Sequence, residues 1–466
     1  MHGASPSLTA PPLACSQEPP AASRAVRGLC LLALLGAAAW FAQVGGLHVQ
    51  LHDPDFEYFY KGGASLLKDG RLDPGYDLVA GRVERRGMLD WYWPCVPRLM
   101  ALFALLPYEA AGFTWLGLNL VAMLATLRLV GRHLTGLPPR DWPVTQLVPF
   151  VLLLFYWRWE FFLNQINNLT LLLMVGSFVC WQRRRHWVGG FWLGLAILLK
   201  VSPGLLVVWF VLKREYRTVA AALATVLLAG PVADLPALGL EQSAAAYRTW
   251  IDKAVTTGSH RGLILTQRET DWRNQGLGVV LRRWLHPTDY STRFDNDPRL
   301  VQRDEPRTMN VVDLPLARVA RIADVVVVTS LLGLLWLARS PARSLSVWQL
   351  RFEWALFLLA LLWLMPVLRR YHMIWALPAI SLVCAGIHYR GWANRWTVGA
   401  LIALAGVALA QVGLIWRGVE ARGVILASVL VLALPLVALL VRLRRGGVLP
   451  EPFFASPPPS ARADAP

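Results

Sequence analysis

The stretch 51–60 reads LHDPDFEYFY and follows the first long hydrophobic segment, so Asp53, Asp55 and Glu57 stand beside the exit from an apolar span. Charged groups at such a boundary are costly and need a reason. A carboxylate there can act as a general base, taking the proton of a hydroxyl within hydrogen-bond reach. It can equally cap the helix that follows, and both Asp53 and Asp55 suit that role. His48 and His52 are spaced i, i+4 and sit near Asp53-Pro54-Asp55, a D-x-D string. That is a weak metal-ligand pattern, and no metal site is expected.

Cations form a second set. Lys200 sits where Lys200-Val201-Ser202-Pro203 interrupts an apolar stretch, and Arg369, Arg370, Tyr371 and His372 mark another helix boundary. A half-buried cation needs an anion, and lipid phosphate is one that a membrane always supplies. The plainer alternative is snorkelling to headgroups, which is the reading for Arg417 and Arg422. Asn164, Gln165, Asn167 and Asn168 make a third set at the start of an apolar helix. Four amides in five residues are expensive in lipid unless they face a cavity or one another. They can bind sugar hydroxyls or cap the helix. No phosphate-cradling glycine loop, G-x-S-x-G or H-E-x-x-H occurs.

Membrane helices must position these groups. The 466 residues are 56% hydrophobic and 16% charged, with mean hydropathy +0.44; a soluble domain carries about 25% charged residues. The net charge of +17 is mostly arginine. Nucleic-acid binding would need a soluble basic domain, and none is visible. Arginines in loops near headgroups are the simpler reading. Cys15, Cys30, Cys95, Cys180 and Cys384 show no CxxC spacing, so neither disulfides nor zinc are expected.

A crossing helix needs about 20 apolar residues. Candidates are 28–48, 109–131, 143–160, 164–181, 217–234, 319–338, 350–366, 370–388, 396–416 and 422–441. The stretch 187–213 adds two, because Pro203 disfavours helix in the residue before it and makes a hairpin of short helices. The expectation is an all-α polytopic membrane protein with about 12 crossings. Residues 1–23 and 446–466 are read as disordered cytoplasmic ends, the first hydrophobic segment as an uncleaved signal-anchor, and 24–445 as the transmembrane domain. Basic clusters at 24–27, 128–140, 183–185, 213–217, 339–343, 390–395 and 442–445 then share the cytoplasmic side. Two loops, 49–108 and 235–318, lie outside. In the first, 55–69 predicts an amphipathic surface helix and WYWPCVPRLMALFALLP a half-inserted one. Tyr58, Tyr60, Trp91, Tyr92 and Trp93 suit an interface. The second, with Trp250, Trp272 and Trp284, is large enough for an ordered cap.

Several stretches together resemble one family. DFEYFYKGGASLLKDGRLDPGYD (55–77), YWP (92–94), NQINNLTLLL (164–173), WVGGFWLGLAILLKVSPGLLV (187–207), RNQGLGVVLRRW (273–284) and PVLRRYHMIWALPA (366–379) occur in order. They are similar to the GT-C superfamily and, within it, to the bacterial polyprenol-phosphate-mannose-dependent α-mannosyltransferases of glycosyltransferase family 87. The resemblance implies a GT-C fold and Asp55 as the base. Lys200 and His372 fall on family positions, and Arg369, Arg370 and Arg282 are expected to join them as ligands of the donor phosphate because the leaving phosphate needs cations. Sugar and acceptor contacts would come from Gln165, Asn167, Asn274, Gln275, Tyr58 and Tyr92. Gly276 stands where the family usually has Ser, and Arg369 and Arg370 replace small residues.

The implied reaction is direct, inverting displacement at C1 of a polyprenyl-phosphate sugar, with mannose the expected sugar. It occurs at the outer face of a bacterial plasma membrane, and the acceptor hydroxyl belongs to a glycolipid or glycan. Cations would take the place of a metal beside the leaving phosphate, so no cofactor is expected. A transporter or flippase of a lipid-linked sugar is the main alternative. It would show charges near the bilayer midplane and repeat symmetry, and neither is evident. A non-catalytic membrane scaffold is the other.

Overall fold

The structure, a computed structural model, describes residues 22–51, 54–70, 76–79, 82–85, 92–256, 258–266, 271–291, 307–390 and 395–444. Of the ends 1–23 and 446–466, read above as disordered, residues 1–21 and 446–466 lie outside the described residues, as do His52, Asp53 and Trp91. In chain order come α1 (Arg24–Gln50) and α2 (Pro54–Asp69), then the antiparallel hairpin of β1 (Tyr76–Val79) and β2 (Arg82–Arg85). There follow α3 (Cys95–Ala104), α4 (Tyr108–His133), α5 (Trp142–Val151), α6 (Leu154–Phe162), α7 (Asn167–Gln182), α8 (His186–Leu199) and α9 (Gly204–Leu212). Next are α10 (Tyr216–Leu227), α11 (Ala233–Thr256), α12 (His260–Leu265), α13 (Leu277–Leu285), α14 (Leu316–Ala338) and α15 (Val347–Leu364). The chain closes with α16 (Leu377–Arg390), α17 (Arg395–Gly413), α18 (Arg417–Ala421) and α19 (Val424–Arg444).

The protein is an all-α, multi-pass membrane protein. The hairpin in the first loop is an addition that the hydropathy pattern does not announce. Among the described residues eight stretches are long and apolar enough to cross a membrane: α1, α4, Tyr216–Thr256, α14, α15, Arg370–His388, α17 and α19. The other four expected crossings are shorter or broken. The stretch 143–160 divides into α5 and α6, α7 has 16 residues, and α8 and α9 have 14 and 9. Lys200 is extended (φ −147°, ψ 137°) and Pro203 caps α9, so the Lys-Val-Ser-Pro break forms as the proline predicts. Between α10 and α11 a π turn over Leu228–Val232 contains Gly230 and Pro231. Proline removes an N–H donor, and the ladder bends there. The two helices predicted for the first loop are α2 and α3.

Polar bonds gather the helix ends into two sets. At one end Arg27 pairs with Asp141 (3.1 Å), Arg183 meets His133 (3.1 Å) and His186 pairs with Glu215 (3.2 Å). Lys213 donates to the carbonyls of Ala338 (2.7 Å) and Ser340 (2.8 Å) and pairs with Glu353, which Arg444 also approaches (3.8 Å). These are the termini that carry the basic clusters. At the other end the two long segments expected to lie outside meet. Arg98 of α3 donates to Asp234 of α11 (2.7 Å), Tyr247 donates to the same carboxylate (2.8 Å), and Trp93 stacks on Trp250 at 4.4 Å. Aromatic pairs fill the layer between, among them Phe41 on Phe161 (4.9 Å) and Phe178 on Trp354 (4.5 Å).

Candidate active site

The site grows from the turn between α6 and α7. Asn164 takes a left-handed conformation there (φ 47°), one that asparagine adopts more readily than most residues. Its carbonyl accepts from the Trp115 indole (3.0 Å). The turn folds α7 back beside Glu160 of α6, which is 1% exposed. Glu160 Oε1 accepts from the backbone N–H of Asn167 (2.7 Å) and of Asn168 (3.0 Å), and Oε2 accepts from Asn167 Nδ2 (2.8 Å). These are orphan donors at the positive end of a helix dipole, where a carboxylate is favoured. The amides therefore do not cap α7 themselves. Glu160 caps it, and one amide is held in the process.

Held this way, Asn167 presents Oδ1 to Lys200, whose Nζ donates to it at 2.7 Å. Lys200 Nζ also lies 2.7 Å from His372 Nε2. His372 Nδ1 accepts from the backbone N–H of Arg369 (2.9 Å), so the neutral ring carries its proton on Nε2. Two donors cannot face each other at 2.7 Å, so Lys200 Nζ stands here as the amine that accepts from the imidazole Nε2–H while it donates to Asn167. The pair's N–H groups are ones a phosphate oxygen can accept from. The rings of Tyr371 and Trp375 flank Lys200 at 5.7 and 5.6 Å.

Asp55 reaches the same place from α2. Pro54 occupies the first helical position, where its missing N–H costs nothing. Asp55 therefore sits within the first turn and does not cap the helix from outside. Phe56 and Phe59 are buried, Phe56 against Tyr108 (5.7 Å) and Phe59 edge-on to Tyr92 (5.0 Å). Gly63 lets α2 lie directly on α3, since a Cβ there would stand 2.4 Å from the Met100 carbonyl carbon. Glu57 pairs with Lys61 (2.6 Å). Asp55 Oδ2 accepts from Gln165 Nε2. Burial, followed by the charges of Tyr371, Asp55, Tyr58 and Glu160, pushes the Tyr92 phenol well above its ordinary value. It stays a hydroxyl able to donate. Asp55, Tyr58, Tyr92, Gln165, Asn167, Lys200 and His372 therefore belong to one cluster.

Other expected ligands have different partners. Arg370 forms a two-bond pair with Glu420, Nε to Oε1 at 2.7 Å and a second bond from the other arm, and donates to the Leu414 carbonyl (3.1 Å). Burial pushes the Glu420 carboxyl up, and Arg370 opposes the shift. Arg369 pairs with Asp271 (3.1 Å), which Arg273 also holds (3.0 Å). Burial would raise the Asp271 carboxyl, but Arg369 and Arg273 outweigh it and hold it well below the usual carboxylate range. Arg282 points into the second outer segment, to Thr288 Oγ1 (3.2 Å) and the Leu263 carbonyl (3.5 Å). The two arginines thus meet protein carboxylates where lipid phosphate was expected, with Arg369 still beside His372. Arg282 is engaged away from the cluster.

Asn274 and Gln275 weld the 271–291 segment to the irregular stretch before His372. Asn274 Oδ1 accepts from the N–H of Gly276 (2.9 Å) and Leu368 (3.2 Å). Gln275 N donates to the Leu368 carbonyl (2.7 Å) and its side chain to the Trp272 (2.9 Å) and Glu420 carbonyls. Gly276 has an ordinary extended backbone (φ −60°, ψ 141°), but a Cβ there would meet the Pro366 carbonyl oxygen at 2.0 Å. Space, not conformation, explains the glycine where Ser was expected. Glu160, Asp271, Arg283 and Glu420 were not singled out from the sequence. The one local signal was an acid inside the aromatic run of α6. Among the described residues no group of three or more His, Cys, Asp or Glu is arranged to hold a metal ion.

The model of glycosyltransferase family 87 matches residues 92–302. The match covers a little under half of the chain. The matched stretch carries Gln165, Asn167 and Lys200, while Asp55 and His372 lie on either side of it. A polyprenol-phosphate-mannose-dependent alpha-(1-2)-phosphatidylinositol mannoside mannosyltransferase of Mycobacterium tuberculosis is 27% identical over 375 residues, 75% of this chain and 73% of that protein. A protein of the same name from Mycolicibacterium smegmatis is 30% identical over 191 residues, 38% of this chain and 42% of its own. No solved structure matches the chain. The family match and these relatives make it a glycosyltransferase, and its cluster joins a carboxylate to the Lys200–His372 pair at one end of the helix bundle.

Proposed function

We propose that the protein transfers mannose from polyprenyl-phosphate mannose to a hydroxyl of a glycolipid or glycan acceptor at the outer face of a bacterial plasma membrane. The acceptor hydroxyl attacks C1 while Asp55 takes its proton. The C1–O bond to phosphate breaks on the opposite face, and the phosphate leaves with the bonding pair, so the anomeric centre inverts. The leaving group is a phosphate monoester whose negative charge grows, and Lys200 with the His372 Nε2–H meets it there. Tyr58 and Tyr92 line the acceptor side, and Gln165 aims Asp55. General-base catalysis of this kind is worth about 10²–10⁴-fold.

One observation carries the reading. Gln165 and Asn167, two residues apart, hold Asp55 and Lys200 respectively, so base and phosphate cation share one rigid turn. The names of the relatives supply the donor and the class of acceptor. The test is transfer of radiolabelled sugar from a panel of polyprenyl-phosphate sugars into lipid extract by the purified protein in detergent, with and without chelator. Transfer from the mannosyl donor that survives chelation and disappears in Asp55→Asn is expected. Full activity in Asp55→Asn overturns the role of the base, and preference for another sugar overturns the donor.

A further inference from the structure

We infer that Glu160 is a positioning residue that sets the direction of the Asn167 amide, and through it the amino group of Lys200. The inference rests on the reading of Lys200 as the cation at the donor phosphate. Its basis is a polarity chain with only acceptors at one end and only donors at the other. The Glu160 carboxylate can only accept, and it accepts three bonds, two from the backbone N–H groups of Asn167 and Asn168 and one from Asn167 Nδ2. Nδ2 is thereby turned toward Glu160, which leaves Oδ1 facing Lys200 Nζ at 2.7 Å. With its lone pair taken by the His372 Nε2–H, Nζ can only donate to Asn167. An amide turned the other way would set Nδ2 against Nζ, donor against donor. Glu160 is 1% and Asn167 0% exposed, so no water corrects an error. The carboxylate thus does more than cap α7.

A neutral isostere separates this role from simple capping. In Glu160→Gln the new amide must keep its oxygen on the two backbone N–H groups, so its nitrogen faces Asn167. Asn167 must then turn over to accept from it, and Lys200 loses its acceptor. Asn167→Asp alone sets two carboxylates against each other. The double variant, Glu160→Gln with Asn167→Asp, restores every polarity. The introduced glutamine donates to one oxygen of the introduced aspartate, while the other oxygen accepts from Lys200. It also keeps one negative charge in the pair.

The experiment measures donor KM and kcat with polyprenyl-phosphate mannose in detergent, beside the unfolding midpoint, for these variants and Lys200→Met. Glu160→Gln and Asn167→Asp should each raise donor KM or lower kcat by about tenfold or more, the loss expected for one charge-assisted bond. The double variant should recover most of that loss. Wild-type kinetics in Glu160→Gln beside an inactive Lys200→Met would overturn the positioning role alone. So would an impaired double variant whose unfolding midpoint matches wild type. Full activity in Lys200→Met would overturn the underlying reading of the cation instead. If Glu160→Gln does not fold, Asn167→Asp decides, and wild-type kinetics there would overturn the inference.

Discussion

Gln165 donates its side-chain amide to Oδ2 of Asp55, 110 positions earlier in the chain. The carboxylate is thereby aimed by the same turn that holds Asn167 and, through it, Lys200. Replacing Gln165 with Leu removes the donor and leaves the base in place. The expected result is a kcat lowered by about tenfold, the scale of one hydrogen bond to a charged group, with donor KM little changed. Steady-state transfer assays check this. A KM effect with unchanged kcat would place Gln165 on the sugar instead of on the base.

The Arg370–Glu420 pair makes a prediction in the opposite sense. Both side chains are buried, with 10% and 0% exposed, and Trp159 and Trp272 face the guanidinium at 4.6 and 5.1 Å. Removing one partner of a buried pair strands the other charge and costs about 3–5 kcal/mol, whereas exchanging both for apolar residues is far milder. Arg370→Met should therefore lower the unfolding midpoint in detergent sharply, and Arg370→Met with Glu420→Leu should recover most of it. Donor KM in the double variant should stay near wild type, since Arg370 is engaged by Glu420.

Asp271 predicts a pH dependence. Its folded carboxyl is held below the unfolded value of about 3.9. The stabilisation from Arg369 and Arg273 is therefore present above that value and is lost as pH falls through the folded one. Between pH 5 and 8 the term is constant. Asp271→Asn should lower the unfolding midpoint at pH 7, and the gap to wild type should narrow only below about pH 4. Thermal unfolding at pH 7, 5, 4 and 3 checks this, and a gap that closes between pH 7 and 5 would contradict it.

Gly276 offers a steric test. A Cβ there would stand 2.0 Å from the Pro366 carbonyl oxygen, which is backbone and cannot swing aside. Gly276→Ser should separate the Asn274–Gly276 turn from Leu368 and slacken the stretch that carries Arg369 and His372. A lower unfolding midpoint and a raised donor KM are expected, and improved transfer would show that the site welcomes the hydroxyl.

The sequence is most legible where expensive groups have local punctuation. Asp55 stands at the exit from a hydrophobic span, Lys200 precedes a proline, and the amides crowd a helix start. All of them gather at one end of the bundle. The helix plan is legible too, because apolar length is a local property, and the break at Lys200–Pro203 follows from proline. Partners distant along the chain are not legible. Arg369 and Arg370 require anions, and the sequence offers two sources, lipid phosphate and the protein's own carboxylates. Only the fold brings Asp271 and Glu420 to them. Arg282 of α13 likewise finds its partners, a hydroxyl and a carbonyl, only through the fold. Glu160 is a lone acid in an aromatic helix, and its meaning lies seven residues away across a left-handed turn.

The hold of Glu420 on Arg370 also has a consequence for biogenesis. Asp55, Gln165 and Lys200 leave the ribosome early, but the segment that carries His372 is braced through the neighbouring Arg370 by a residue near the end of the helical region. A nascent chain therefore inserts Asp55, Gln165 and Lys200 long before the segment that carries His372 is fixed, so the cluster as a whole forms late in synthesis.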